Sequence, residues 1–394
     1  MNRLGVSLLV GLLATSGCAA LYGVGELTPG APDQGGAGTG GAPTPSTAGA
    51  KPSASPDGGA TSPIGGGGST FPIGSGGTSA GSDNDGGRSS PATDGGALDT
   101  VQPPSCVGLP ALCGNSESSS RDCCASLEVT GGSFFRSYDG LAGAGWDDPS
   151  SPAAISAFRL DAYEVTVGRF RRFVEAYPWL PPAGAGRNPA NQLDFGWSGG
   201  WNALLPPDAE SLSRALSTCA SENSAQPSMS TWTVIPDANE TLPVNCLTWF
   251  EAFAFCAWDG GRLPSEAEWN YAAAGGSQAR VYPWASSLST DVDPNYAVYQ
   301  TPIAMVGSKP LGNGRFGHSD LAGNVWEWAV DWYRQTYSVP CEDCAELAAD
   351  ADISDRVLRG GAYYNQPPFL RAAIRGNAPP STRNSGYGVR CARE

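Results

Sequence analysis

Apolar residues along this chain recur in short bursts, and the spacing inside each burst predicts its element. Val129-Thr130-Gly131-Gly132-Ser133-Phe134 reads as a strand entering a turn. Ile155 to Tyr163 alternates around Phe158 and Leu160, the period of a half-buried strand. Past Thr166 the period lengthens. Val167, Phe170, Phe173, Val174 and Tyr177 make an i, i+3, i+6, i+7, i+10 stripe, so a helix capped by Thr166 is expected. Thr248-Trp249-Phe250-Glu251 and Ser265-Glu266-Ala267-Glu268 each place a glutamate three positions after a hydroxyl, the spacing of a capping box. The first of these helices, through Phe253, Phe255 and Trp258 to Gly260-Gly261, is apolar on nearly every side and should be the buried central helix. The second stops at Gly275-Gly276, and Arg262 ahead of it is placed to fix the connecting loop. Gly184 to Trp201 is a Gly-, Pro- and Asn-rich excursion, of a length that is usually functional or packed on itself.

The densest stretch is Asp320-Leu321-Ala322-Gly323-Asn324-Val325-Trp326-Glu327-Trp328. Trp326 and Trp328 alternate with Val325 and Glu327, which puts both rings on one face of an extended segment. Gly323 permits a bend with Asp320 and Glu327 at its two ends. Carboxylates and exposed carbonyls on a curved loop are the donor set of a hard cation. The same residues also suit a buried turn whose polar groups satisfy one another.

Composition divides the chain. Met1-Asn2-Arg3 and the apolar run Leu4 to Ala14 are too short to span a bilayer and end at Thr15-Ser16-Gly17-Cys18. Small residues before a cysteine resemble the lipobox of bacterial lipoproteins, with Thr15 where leucine is usual; a plain secretory signal is the alternative. Residues 1–18 are thus expected to be a signal peptide with Cys18 as the lipidation site. Ala19 and Ala20 lack the aspartate that retains lipoproteins at the inner membrane, so an outer-membrane location is expected, facing the periplasm or the cell surface. Residues 19–105 are mostly Gly, Ala, Ser, Thr, Pro and Asp and cannot bury enough apolar surface to order, so they read as a disordered tether.

Of eleven cysteines ten remain once Cys18 is set aside, an even number: Cys106, Cys113, Cys123, Cys124, Cys219, Cys246, Cys256, Cys341, Cys344 and Cys391. In an exported chain disulfides are the default. Cys341–Cys344 should close locally, and residues 106–126 should be a Cys-rich knot holding two or more bridges ahead of a folded domain at 127–394. The formal charge of −15 argues against nucleic acid and anionic membrane surfaces, which leaves the lipid anchor as the membrane contact. His318 is the single histidine, which excludes a multi-histidine iron or zinc site.

Six motifs then come in order: Pro243-Val244-Asn245-Cys246; Gly261-Arg262-Leu263-Pro264-Ser265-Glu266-Ala267-Glu268-Trp269; Val281-Tyr282-Pro283-Trp284; Gly323-Asn324-Val325-Trp326-Glu327-Trp328; Arg359-Gly360-Gly361-Ala362-Tyr363; and Gly388-Val389-Arg390-Cys391. Together they resemble the formylglycine-generating enzyme (sulfatase-modifying factor) family from about Val129 to Arg393. The resemblance implies an α+β fold, distantly similar to C-type lectins, with little regular secondary structure. It also implies a bridged Cys256 and Cys391, and structural calcium held by Asp320 and Glu327 through side chains and by Gly323 and Val325 through carbonyls. The loop from Ala297 to Pro302 looks too short to complete the family's other calcium site at Asn295 and Tyr296.

The family oxidises a sulfatase cysteine to formylglycine with copper held by two cysteines. Here that region carries Asn365, Pro367 and Leu370, and Ala362 replaces a serine, so copper is not expected. The ergothioneine branch needs three histidines from a separate helical domain, which this chain lacks; the siderophore-chromophore branch has no such requirement. The expectation is a tethered, calcium-stabilised module binding a peptide or small ligand in a cleft around Tyr363, Tyr364, Asn365 and Arg371. The alternative is an exported oxidoreductase of an uncharacterised branch, acting on a thiol, peptide or siderophore-type substrate through groups such as Tyr363, Tyr364 and Glu327.

Overall fold

A computed structural model describes residues 102–109, 113–114, 121–143, 145–219, 229–285, 292–349 and 353–394. Cys18, the signal and nearly all of the tether lie outside the described residues. Residues 100–394 form one compact unit.

Among the described residues four short strands come first, then four short α-helices, then five more short strands, as the brief apolar bursts require. The strands β1 (Ser126–Val129) and β4 (Phe158–Asp161) pair antiparallel, and β4 also pairs with β9 (Ala392–Arg393), so the C-terminal end closes the first sheet. β2 (Gly132–Phe135) and β3 (Pro152–Ile155) make a separate hairpin-like pair. The third sheet runs β7 (Gly376–Ala378), β6 (Arg356–Arg359), β5 (Trp326–Trp332), β8 (Tyr387–Gly388). β5 is antiparallel to β6 and parallel to β8, and its register with β6 slips between Trp328 and Trp332.

Local capping chemistry sets the helices. Thr166 caps α1 (Val167–Glu175) by accepting the Arg169 N–H at 3.2 Å. α3 (Trp249–Trp258) and α4 (Glu266–Ala273) both begin in complete capping boxes. In the second, Ser265 Oγ accepts from Glu268 N while Glu268 Oε2 accepts from Ser265 N at 2.8 Å. Arg262 meets that same glutamate with both terminal nitrogens at 2.7 Å, holding the loop as its position implied. α2 (Ala209–Ser217), capped by Asp208, is an element the reading above omits; Leu212 and Leu216, one turn apart and fully buried, carry its signal.

The core is aromatic and centres on α3, whose Trp249, Phe253 and Phe255 are buried. The Gly184–Trp201 excursion packs onto it: Trp201 lies 5.2 Å from Trp249 and Trp197 lies 5.4 Å from Phe253, ring to ring. Asp194 ties that excursion together, accepting from Asn188 N and Gly196 N. Rings packed at these separations add to area burial worth about 1.5–3 kcal/mol for each fully buried side chain.

All ten described cysteines are paired: Cys106–Cys124, Cys113–Cys123, Cys219–Cys246, Cys256–Cys391 and Cys341–Cys344. Cys256 on α3 is thereby fixed to the residue just before β9. The Cys-rich segment is also stitched into the domain by polar contacts. Ser105 is fully buried, donates its N–H to Asp259 Oδ1 at 2.9 Å, and takes the Arg169 Nε–H on its hydroxyl at 3.0 Å.

Candidate functional site

The bend ahead of β5 is built by three left-handed residues. Asp320, Gly323 and Asn324 have φ of 57°, 88° and 60°. Gly323 needs to be glycine twice over, because a Cβ there would also collide with the Val298 carbonyl. Its N–H reaches Gly360 O at 2.9 Å, and the Asn324 N–H reaches Val298 O at 2.9 Å. The Asn324 carboxamide donates to Glu164 Oε2 at 2.7 Å and accepts the Ala304 N–H at 3.2 Å. Glu164 Oε1 takes the Val325 N–H at 3.1 Å. Glu164 thus clasps the bend from the segment between β4 and α1.

Two further buried carboxylates, Asp320 and Glu327, interact electrostatically with Glu164. Asp320 Oδ2 accepts the Gly307 N–H at 2.6 Å. Glu327 is fully engaged: Arg390 donates to both oxygens, with Nη2 on Oε1 at 2.8 Å and Nε on Oε2 at 3.0 Å, and Trp269 Nε1 adds a bond of 2.7 Å. Arg390 is itself fixed by the carbonyls of Asp161 and Ser319.

Glu164, Asp320 and Glu327 are all buried, and among the described residues the guanidinium bonded within the cluster is that of Arg390. Burial, with Asp320 and Glu327 behind it, drives Glu164 well above the usual carboxylate range. Burial likewise pushes Asp320 up to about 6, against the opposing pull of the Gly307 N–H and Arg390. Burial alone would lower Arg390, and Glu327 more than offsets it. With all three ionised, three carboxylates against one cation would leave surplus negative charge in a buried cluster, which protons or a cation must offset. A divalent cation would offset such a surplus, and carboxylate and carbonyl oxygens are the ligand type that calcium takes. Among the described residues no three acidic, histidine or cysteine side chains close on one point by themselves. Backbone carbonyls such as those of Gly323 and Val325 would therefore have to complete the shell.

The four cleft residues are only partly brought together. Tyr363 and Tyr364 meet edge to face at 5.0 Å, and the Tyr363 hydroxyl lies 3.2 Å from Ser385 Oγ. Tyr364 covers Gly386, where a Cβ would run into its ring. Asn365 instead closes a turn, its carboxamide oxygen accepting the Ala362 N–H at 2.8 Å. Arg371 is buried in an ion pair with Asp139, so its charge is already matched inside the fold. Leu370 is fully buried and packs against Gly361.

His318 is an interior residue, its Nε2 3.2 Å from Leu160 O and its pKa held down at about 3 by burial and by Arg390. Glu164, Asn324 and Ser385 escape the sequence reading as site residues. For Glu164 a signal existed, a glutamate set between Tyr163 and Val165 at the end of an apolar run, where a charge has no solvent to face.

Residues 114–394 match the model of the sulfatase-modifying factor enzyme 1-like domain. The chain is 29% identical to the formylglycine-generating enzyme of Bos taurus over 266 residues, covering 62% of this chain and 67% of that protein. It is 28% identical to the formylglycine-generating enzyme of Streptomyces coelicolor over 271 residues, 63% of this chain and 82% of the relative. It is 26% identical to the inactive Cα-formylglycine-generating enzyme 2 of Mus musculus over 298 residues, 68% and 85% of the two chains. Among solved structures it is similar to PvdO from Pseudomonas aeruginosa, at 21% identity and a TM-score of 0.47, over 73% of this chain and 99% of that one. With the α+β architecture, the Gly323–Trp328 bend and the ordered motifs in place, this chain belongs to the sulfatase-modifying factor enzyme 1-like domain family.

Proposed function

We propose that this protein is a surface-tethered, calcium-stabilised member of its family that binds a peptide or small ligand and does not make formylglycine. The observation that carries this reading is the use already made of the thiols and of the positions where copper ligands would be sought. Every described cysteine is in a disulfide, Leu370 is packed against Gly361, and the Asn365 carboxamide closes a turn. Copper in its low-valent state wants soft thiolate ligands, and these residues do not fit it. A mouse relative of similar extent bears the name of an inactive enzyme, which agrees with loss of chemistry on this scaffold.

Asp320 and Glu327 through carboxylates, and Gly323 and Val325 through carbonyls, would hold the calcium, with Glu164 buttressing the bend and Glu327 shared with Arg390. A bound calcium would supply positive charge to offset the surplus acid there. Tyr363, Tyr364 and Ser385 would line the ligand cleft beside it. The tether and lipid at Cys18 would hold the domain at an outer membrane, a reading supported by the charged start, the short apolar run and the small residues before Cys18.

The test of the catalytic part is a sulfatase-motif peptide incubated with the copper-loaded full chain and oxygen, followed by mass spectrometry. The peptide should be recovered unchanged. Appearance of formylglycine would overturn the reading. Palmitate labelling tests the anchor: wild type should label and Cys18→Ala should not, and equal labelling of both would remove the lipid from the account.

A further inference from the structure

The arginines of this acidic chain are mostly matched by carboxylates: Arg169 by Asp161 and Asp259, Arg359 and Arg375 by Glu266, Arg383 by Glu251. Arg280 and Arg315 are among those with no carboxylate partner among the described residues. Every hydrogen bond they make among the described residues goes to a neutral acceptor. Arg280 donates through Nε to Gln278 Oε1 at 2.7 Å and through Nη1 to Pro283 O at 2.6 Å. Arg315 donates through Nη1 to Gly275 O at 2.9 Å and lies over the Phe316 ring.

Both side chains grip the same turn. Gly275 and Gly276 each have φ of 67°, and their bare Cα atoms let the neighbours close in. A Cβ on Gly275 would lie 2.9 Å from Arg280 Nε, and one on Gly276 would lie 3.3 Å from Arg315 Nη1 and 3.0 Å from the Tyr271 hydroxyl. Two guanidinium groups and a phenol are therefore gathered at one two-residue turn. Burial first, and the neighbouring Arg315 second, hold Arg280 below its ordinary pKa. A guanidinium has five N–H donors; the bonds described use two on Arg280 and one on Arg315, and those bonds fix the orientation of the groups that remain.

We propose that Arg280 and Arg315, with the Tyr271 hydroxyl beside them, form a binding site for a tetrahedral oxyanion, phosphate or sulfate, on the turn after α4. Two fixed guanidinium groups suit a dianion, whose oxygens take charge-assisted bonds from both, and the half-exposed position leaves the anion free to belong to a larger molecule. The site is independent of the calcium pocket and of the reading of the cleft.

The test is calorimetric titration of the full chain with sodium phosphate and sodium sulfate against sodium chloride at matched ionic strength. Wild type should bind phosphate or sulfate with a Kd of roughly millimolar order. Arg315→Gln, a change at an exposed position, should weaken this by at least about tenfold, with Arg315→Lys intermediate. Near-ultraviolet circular dichroism unchanged between wild type and variant separates a lost ligand group from a lost fold. Vesicles of phosphatidylglycerol distinguish the source. Retention that free phosphate competes away assigns the anion to a lipid headgroup, and absence of retention assigns it to a soluble ion. No response of the wild type to either anion would overturn the site. So would an equal response in the Arg280→Gln/Arg315→Gln double variant.

Discussion

Two buried charge clusters flank Trp269, and they are balanced in opposite ways. Around Glu266 two arginines converge on one carboxylate. Arg375 donates from Nε at 2.5 Å and Nη2 at 2.8 Å, Arg359 donates from Nη2 at 2.7 Å, and the Tyr337 hydroxyl adds 3.2 Å. Burial would raise Glu266, but Arg375 and Arg359 outweigh it and hold the carboxyl at about 2. Around the Gly323 bend the ratio reverses, with Glu164, Asp320 and Glu327 facing Arg390, and two of the three acids are displaced upward. Both clusters are dry and both are built on the same α4–β5 framework. A cluster whose charges are met by protein groups is complete as folded, whereas one with surplus acid is complete only when a cation or protons arrive.

Removing the hub of the first cluster should have the largest effect. Glu266→Ala leaves Arg359 and Arg375 buried without their acid and should cost about 3–5 kcal/mol in chemical denaturation. A loss below about 1 kcal/mol would mean that the arginines find other partners and that the contrast drawn here is mistaken.

The clusters should next separate by pH. Asp320 in the calcium-free protein has a folded pKa of about 6, above its ordinary 3.8, so the folded state holds that proton more tightly. Stability should therefore rise as pH falls from about 7 toward 4, by up to about 3 kcal/mol from this group. Glu266 works with the opposite sign. Its folded value of about 2 lies below the ordinary 4.5, so its contribution is full above 4.5 and lost as pH falls toward 2. Thermal melts in chelator should show a maximum on the acid side of neutrality. Saturating calcium should flatten the limb above it, apart from what Asp331, pushed by burial up to about 7, contributes in both conditions. Identical profiles with and without calcium would remove Asp320 from the cation site.

The smallest effect should come from Glu164→Gln. The amide keeps one of the two acceptor oxygens that Glu164 offers the bend, a loss that removal of the surplus acid offsets. In chelator it should be neutral or stabilising by about 1 kcal/mol, and in calcium the advantage should vanish or reverse. A loss of several kcal/mol in chelator would show that the Glu164 charge is needed by the fold itself.

What the sequence disclosed follows from how local each signal is. The starts of α3 and α4 were legible because a hydroxyl and a glutamate three residues on form a capping box, and that of α1 because Thr166 precedes a helically spaced apolar stripe. The Gly323 bend was legible for the same reason, and so was the Cys341–Cys344 bridge, which spans a gap of three residues. Pairings at long range were not. Glu164 meets Asn324 across 160 positions, and Arg371 meets Asp139 across 232. No local pattern announces that Arg371, expected in a cleft, spends its charge on a buried aspartate. Nor could spacing show that Glu327, expected to hold calcium together with Asp320, already holds Arg390 and the Trp269 indole.

The central claim is that the acid-rich pocket is completed by calcium, and calorimetric titration of the exhaustively chelated full chain tests it most directly. One calcium should bind per chain, and Asp320→Ala should abolish that binding while the circular dichroism of the fold persists. Failure of the wild-type chain to take up calcium, or uptake unchanged in Asp320→Ala, would contradict the account.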